Sequence, residues 1–248
     1  DYILAGADII TADTYSSSRI MLDSVNLGHM TQQINRQAIR VAKSAVAEHG
    51  SDKLLIAGSL SHRVPALDGS NDPSILKVRD SASEMVEILI EEHCDMILLE
   101  MMYNPNRILP TFEIATNTNL PVWAGFSARR GKNGDLLSYY QEKDIPLEEM
   151  VEILKSFTVD VAGIMHTPAD IIEEALEVLG KVYDGPMMVY PDSGFFQSPN
   201  WQFVEVMEPA KLIEFSLRWS KMGAFVLGGC CGLSPHHILA LSKLKFES

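Results

Sequence analysis

The sequence predicts an α/β fold, a (β/α)8 barrel, on three observations. The chain has 248 residues, close to the roughly 250 of a single barrel of this kind. Short apolar runs alternate with amphipathic helical stretches from end to end, which calls for parallel strands joined by right-handed crossovers. The long polar insertions follow the ends of apolar runs, on the side where barrels build their active sites. An open doubly wound sheet is the rival architecture for the same alternation.

Seven runs have the length and apolar character of strands buried on both faces: Asp8–Ala12, Lys53–Ser59, Met96–Glu100, Pro121–Phe126, Val159–Met165, Met187–Tyr190 and Phe225–Gly229. Helical patterns lie between them at Val25–His49, Ser81–His93, Leu147–Phe157, Pro168–Leu179, Pro209–Met222 and Pro235–Leu244. In Ser81–His93 the spacing puts Met85, Ile88 and Leu89 on one face, and the last two helices open with Pro, which suits a first turn. Insertions at His62–Val78 and Arg129–Pro146 are expected to be surface loops near the site. The strand count is one short of eight, and Asp1–Gly6 resembles the end of a helix. The expected architecture is therefore a barrel lacking its first N-terminal βα unit, with residues 1–248 forming one domain.

A formal net charge of −13 with no Lys/Arg cluster argues against a nucleic-acid groove and against an anionic membrane surface. No apolar stretch reaches the ~18 residues of a membrane span, and the first residues carry no secretory signal pattern. Of the three cysteines two are adjacent, and neighbouring Cα atoms, about 3.8 Å apart, are too close for an ordinary disulfide. A reducing, cytoplasmic setting is expected. Homo-oligomerisation is left open.

The sharpest chemical signal is Gly228-Gly229-Cys230-Cys231-Gly232, where the last apolar run meets the last helix. Vicinal side chains on a strand point to opposite faces, so two thiols reach one metal only if the chain turns, and the glycines permit a turn. Such a pair suits Zn²⁺; a pair of small buried residues in a tight turn is the alternative. Glu100 closes an apolar run, where a carboxylate is costly without a cation or donors. Asp13, Thr14 and Tyr15 end the first run and are expected to face the pocket. Ser127 and Ser193 end later runs and offer either a pocket hydrogen bond or a helix cap. Tyr15, Trp123, Phe126, Tyr190 and Trp201 lie near strand ends, where aromatic faces attract cations, although large aromatics are common in cores. Cys94 reads as a small buried residue at the opposite end of its strand.

Gly228–Gly232 followed by Ser234-Pro235-His236-His237-Ile238 resembles the last barrel segment of the homocysteine S-methyltransferase family. Ala5–Tyr15 is similar to that family's second-strand segment, Leu98–Glu100 to its fourth, Pro121–Ser127 to its fifth and Tyr190–Gly194 to its seventh. The resemblance implies a zinc-dependent barrel that transfers a methyl group from a cationic donor to homocysteine or a similar small thiol. It further implies that Glu100 holds the acceptor's amino group and that Cys230 and Cys231 bind zinc. The family's third cysteine falls on His166, in Gly163-Ile164-Met165-His166, so His166 is the expected third ligand; a rim histidine without metal contact is the alternative. The family's asparagines fall on Asp13, Met165 and Asp192, its third-strand Gly-Pro on Ser61-His62, and its first-strand Asp-Gly-Gly has no counterpart. These departures leave open a different thiol or selenol acceptor, or a barrel that binds metal or thiol without catalysis.

Overall fold

A computed structural model describes residues 1–49, 53–65, 72–198 and 202–244. Eleven strands follow in chain order: β1 Ile9–Ala12, β2 Leu55–Ser61, β3 Met96–Met102, β4 Val122–Phe126, β5 Ala128–Arg130, β6 Leu136–Ser138, β7 Val161–Pro168, β8 Met187–Asp192, β9 Phe195–Gln197, β10 Gln202–Val204 and β11 Ala224–Leu227. Seven of them form one sheet in the order β1-β2-β3-β4-β7-β8-β11. Every pairing in that sheet is parallel. All seven expected strands are present, each within a few residues of its expected bounds. Parallel strands covered on both faces leave continuous apolar runs in the sequence, which is why these were legible.

The sheet is curled, and its two faces carry different clusters. Side chains alternate along a strand. One set of positions, Ile9, Ala57, Met96, Leu98, Trp123, Val161, Met188, Tyr190 and Val226, packs together on the concave face. The other set, including Ile56, Ile97, Leu99, Ala124, Ile164 and Val189, packs outward against the helices with Ile39, Met85, Phe112, Leu176 and Trp219. The curl brings the chain's first turn to the last helix: a Cβ on Gly6 would lie 2.8 Å from Ser242 Cβ, and Tyr2 Oη donates to Leu233 O at 3.4 Å. Asp1–Ala7 closes as a helix C-terminus does. Ala7 N–H donates to Tyr2 O and Gly6 N–H to Ile3 O, with Gly6 at φ +92°.

The helices are α1 Arg19–Asp23, α2 Thr31–His49, α3 Ile75–Glu91, α4 Pro105–Thr116, α5 Leu147–Val151, α6 Ile172–Gly180, α7 Pro209–Lys221 and α8 Pro235–Leu241. Several differ from the sequence expectation, among them the short α1, which was not expected. Val25–His49 is not one helix, because a 3-10 turn at Gly28–Met30 precedes α2. α3 starts at Ile75, inside the expected loop, because Ser74 caps it by accepting from Lys77 N–H. α4 was not expected, since Pro110 sits in its interior. Asn104 caps α4, Pro105 fits its first turn, and Ile108, Phe112 and Ala115 bury one face. Among the described residues no helix is long and apolar enough to cross a membrane.

Candidate active site

The C-terminal ends of the sheet strands carry the polar residues. On β3 the concave positions Met96 and Leu98 continue to Glu100, and on β11 Val226 leads through Gly228 to Cys230. Past β11 the chain pairs with the end of β8. Cys230 N–H donates to Pro191 O at 2.8 Å, and Ser193 N–H donates to Cys231 O at 2.9 Å. Gly232 completes the turn at φ +80°, where a Cβ would lie 1.9 Å from Ser193 O, so no side chain fits. This turn puts both thiols on one side, with Cys230 Sγ and Cys231 Sγ 3.9 Å apart.

His166 reaches the same point from β7. Its backbone has φ +43°, uncommon for a residue with a Cβ, and lies where the β7–β8 register breaks between Met165 and Pro168. The break re-aims the imidazole so that Nδ1 lies 3.5 Å from Cys230 Sγ and 3.9 Å from Asp192 Oδ2. The ligand atoms of His166, Cys230 and Cys231 all lie within 4.8 Å of one another. A tetrahedral Zn²⁺ with ordinary bond lengths would hold two sulfurs about 3.8 Å apart and sulfur and nitrogen about 3.6 Å apart. The donor set therefore fits such an ion.

The charges are coupled. The Cys231 thiol is pulled well below its usual range by hydrogen bonds from Cys230 and His166, against burial. Cys230 is pushed up by its bond to Cys231, by burial and by the charge there. Burial alone would lower the His166 imidazole, but its bond to Cys231 and the Asp192 and Cys231 charges turn the net shift upward. The pair carries one thiolate readily and a second only beside further positive charge.

Glu100 accepts a hydrogen bond from Ser59 Oγ. Burial raises its carboxyl to about 7, with the charges of Cys231 and Asp13 adding to the rise and Ser59 and His166 opposing it. Asp13 itself is exposed at the rim. The buried Thr14 hydroxyl donates to Ser59 O at 2.7 Å, so it ties two strand ends together. Tyr15 Oη donates to Met101 Sδ at 2.8 Å. Ser127 is fully buried, and its hydroxyl has no partner among the described residues. Ser193 Oγ accepts from Met207 N–H at 2.8 Å, which makes it a brace for the turn beside the cysteines. Trp123 and Tyr190 belong to the concave cluster, Phe126 to the outer core, and Trp201 lies outside the described residues. Cys94 is buried away from the thiol pair, and burial raises it to about 11.

The sequence did not reveal Tyr139. The expected loop at Arg129–Pro146 contains an antiparallel hairpin of β5 and β6, and its end lays Tyr139 edge-on against the His166 ring, centroids 5.1 Å apart. Arg129 holds this segment by donating to Tyr140 O and pairing with Asp144 at 2.8 Å.

A barrel-like parallel α/β fold with a thiol–imidazole cluster at its strand ends defines a class of metal-competent enzymes. Comparison with known proteins narrows it. The profile of the homocysteine S-methyltransferase family matches residues 1–244, and the chain belongs to that family of methyltransferases. Homocysteine S-methyltransferase 1 of Brassica oleracea var. italica is 24% identical, over 98% of this chain and 80% of that protein. Selenocysteine Se-methyltransferase of the same plant is 25% identical, over 98% and 76%. Among solved structures, the metallated form of homocysteine methyltransferase MmuM from Escherichia coli superposes with a TM-score of 0.75 at 22% identity, covering 97% of this chain and 81% of that one.

Proposed function

We propose that the chain methylates homocysteine or a closely similar amino-acid thiol, using Zn²⁺ held by His166, Cys230 and Cys231. The observation that carries this reading is the convergence of those three ligand atoms within 4.8 Å at the strand ends of a family member. Bound there, Zn²⁺ would act as a Lewis acid and lower the pKa of the acceptor thiol. Glu100 holds the acceptor's amino group by a charged hydrogen bond, with Ser59 fixing the carboxylate. Tyr139 holds the His166 ring in place. The acceptor sulfur attacks the methyl carbon in line, and the donor, of S-methylmethionine, S-adenosylmethionine or betaine type, leaves neutral with the bonding electron pair. Tyr15 and Tyr190 give the cationic donor aromatic neighbours.

The finer architectural reading, a (β/α)8 barrel without its first βα unit in these residues, is supported by the seven-strand count and by β1 and β11 each pairing on one side only. A second acceptor, selenocysteine, is favoured by the relative that carries that name. The test is to load the protein with zinc, supply homocysteine or selenocysteine with each donor, and measure the methylated product. Methionine formation with one zinc per chain is the expected result. Absence of both zinc and product overturns the proposal.

A further inference from the structure

Beyond Ser61 the chain runs to His62 and Arg63 at the same end of the sheet. The Arg63 guanidinium carbon lies 5.7 Å over the Tyr15 ring, and Tyr15 reaches Met101, the neighbour of Glu100. The positive charge of Arg63 is felt at His166, Tyr103 and Tyr139, so it lies near the metal-competent cluster. The described residues offer Arg63 no ion-pair partner, and its Nε is shut off from solvent without an acceptor. The buried Tyr103 hydroxyl, which feels the charges of both Arg107 and Arg63, meets no hydrogen-bond partner of good geometry among the described residues. Arg107 has Asp72 at 3.3 Å and packs its guanidinium over Tyr103 at 5.8 Å, and its Nε, like that of Arg63, has no hydrogen-bond acceptor among the described residues. His62 brings no charge to the space: burial keeps its ring neutral, and with Nε2 accepting from Tyr103 N–H at 3.3 Å its proton sits on Nδ1. A buried donor left unpaired is costly, and a guanidinium without an anion is more so.

We propose that Arg63, held over the Tyr15 ring, is the specificity residue that reads a carboxylate on the substrate. The inference rests on the methyl-transfer reading, and completes it for an amino-acid ligand: Glu100 takes the ammonium end and Arg63 the carboxylate. A planar guanidinium matches a carboxylate better than a lysine would. The acceptor thiol and an amino-acid donor both carry such a group, so the source of the carboxylate is for experiment to separate.

Binding of two ligand pairs to zinc-loaded protein, followed by isothermal titration, makes the test. Methionine and 3-(methylthio)propylamine differ by the carboxylate alone, as do S-methylmethionine and (3-aminopropyl)dimethylsulfonium. The parent is expected to prefer the carboxylate-bearing member of at least one pair by tenfold or more. Arg63→Gln should shrink that preference below threefold, and Arg63→Lys should restore part of it. Loss confined to the thioether pair assigns Arg63 to the acceptor, and loss confined to the sulfonium pair assigns it to the donor. A parent that prefers neither carboxylate, or an Arg63→Gln protein that keeps the full preference, overturns the proposal. Should Arg63→Gln fail to fold, an Arg63→Lys protein with undiminished preference for both pairs overturns it equally. A protein that discriminates through Arg63 and transfers no methyl group overturns the methyl-transfer reading and leaves this one standing.

Discussion

The Tyr139 ring meets the His166 imidazole edge-on, with planes at 69°. His166 is held at φ +43° by its surroundings, since that backbone conformation is unfavourable for a residue with a Cβ. Removing the Tyr139 ring frees the imidazole to leave the cysteines. Tyr139→Ala is expected to weaken zinc binding by about tenfold or more, in the range typical of groups that orient metal ligands. Tyr139→Phe should bind as the parent does. Competition with a chromogenic chelator measures both, and equal affinity in Tyr139→Ala would remove this role.

The ligand set can be tested one residue at a time. Cys230→Ser and Cys231→Ser should each lose zinc while keeping the far-UV circular dichroism of the parent, because both thiols lie in a turn past the sheet and not in its core. His166→Ala should bind zinc much more weakly, and His166→Cys should retain it. Unchanged zinc content in His166→Ala would reduce the site to a cysteine pair.

Glu100 makes opposite demands on function and stability. Its carboxyl titrates near 7 in the folded chain, up from the ordinary 4.5, because burial disfavours the charged form. A raised carboxyl costs nothing below the unfolded value and costs most above the folded one, so stability is lost as pH rises from about 4.5 through about 7. Metal-free Glu100→Gln should therefore be more stable than the metal-free parent at pH 8, by at most roughly 3 kcal/mol, with the difference shrinking toward pH 5. The same substitution should raise the acceptor KM about tenfold or more with zinc content unchanged. Denaturant titrations at the two pH values and steady-state kinetics check the two halves separately.

Gly232 is required by its backbone and by space. Gly232→Ala puts a methyl group against Ser193 O at a positive φ. The turn must open to accept it, and about 1–2 kcal/mol of backbone strain is added. Reduced thermal stability together with zinc loss is expected. A variant that binds zinc normally would show that the turn tolerates rearrangement.

Much of this arrangement was legible in the sequence, for physical reasons particular to each part. The strands were visible because burial on both faces leaves unbroken apolar runs. Glu100 stood out as a charge extending such a run, and Cys230-Cys231 stood out because glycines bracket it. His166 was visible through family resemblance alone, since nothing local marks a histidine after Met165 as a ligand. α4 was hidden by Pro110, whose helix-breaking tendency is outweighed by the buried face of Ile108, Phe112 and Ala115. Tyr139 was hidden because its contact with His166 is made across the fold by a hairpin. Thr14 and Ser193 were expected to face the pocket or to cap a helix; the Thr14 hydroxyl bonds to Ser59 O near the end of β2, and the Ser193 hydroxyl to Met207 N–H in the segment before α7. Such bonds leave no periodic trace.

The placement of Cys94 gives the protein an internal reference for chemical labelling. Cys94 is 3% exposed and its thiol resists ionisation, whereas Cys231 ionises easily and Cys230 lies beside it. Thiolates are the species that react with disulfide reagents and alkylators. In a native sample these reagents will modify the vicinal thiols first and spare Cys94, and unfolding will release the third sulfur. The ratio of fast to total label is thus a stoichiometric gauge of how many molecules have a bare, folded centre. It needs no substrate, no assay of turnover and no spectroscopic signature from the ion.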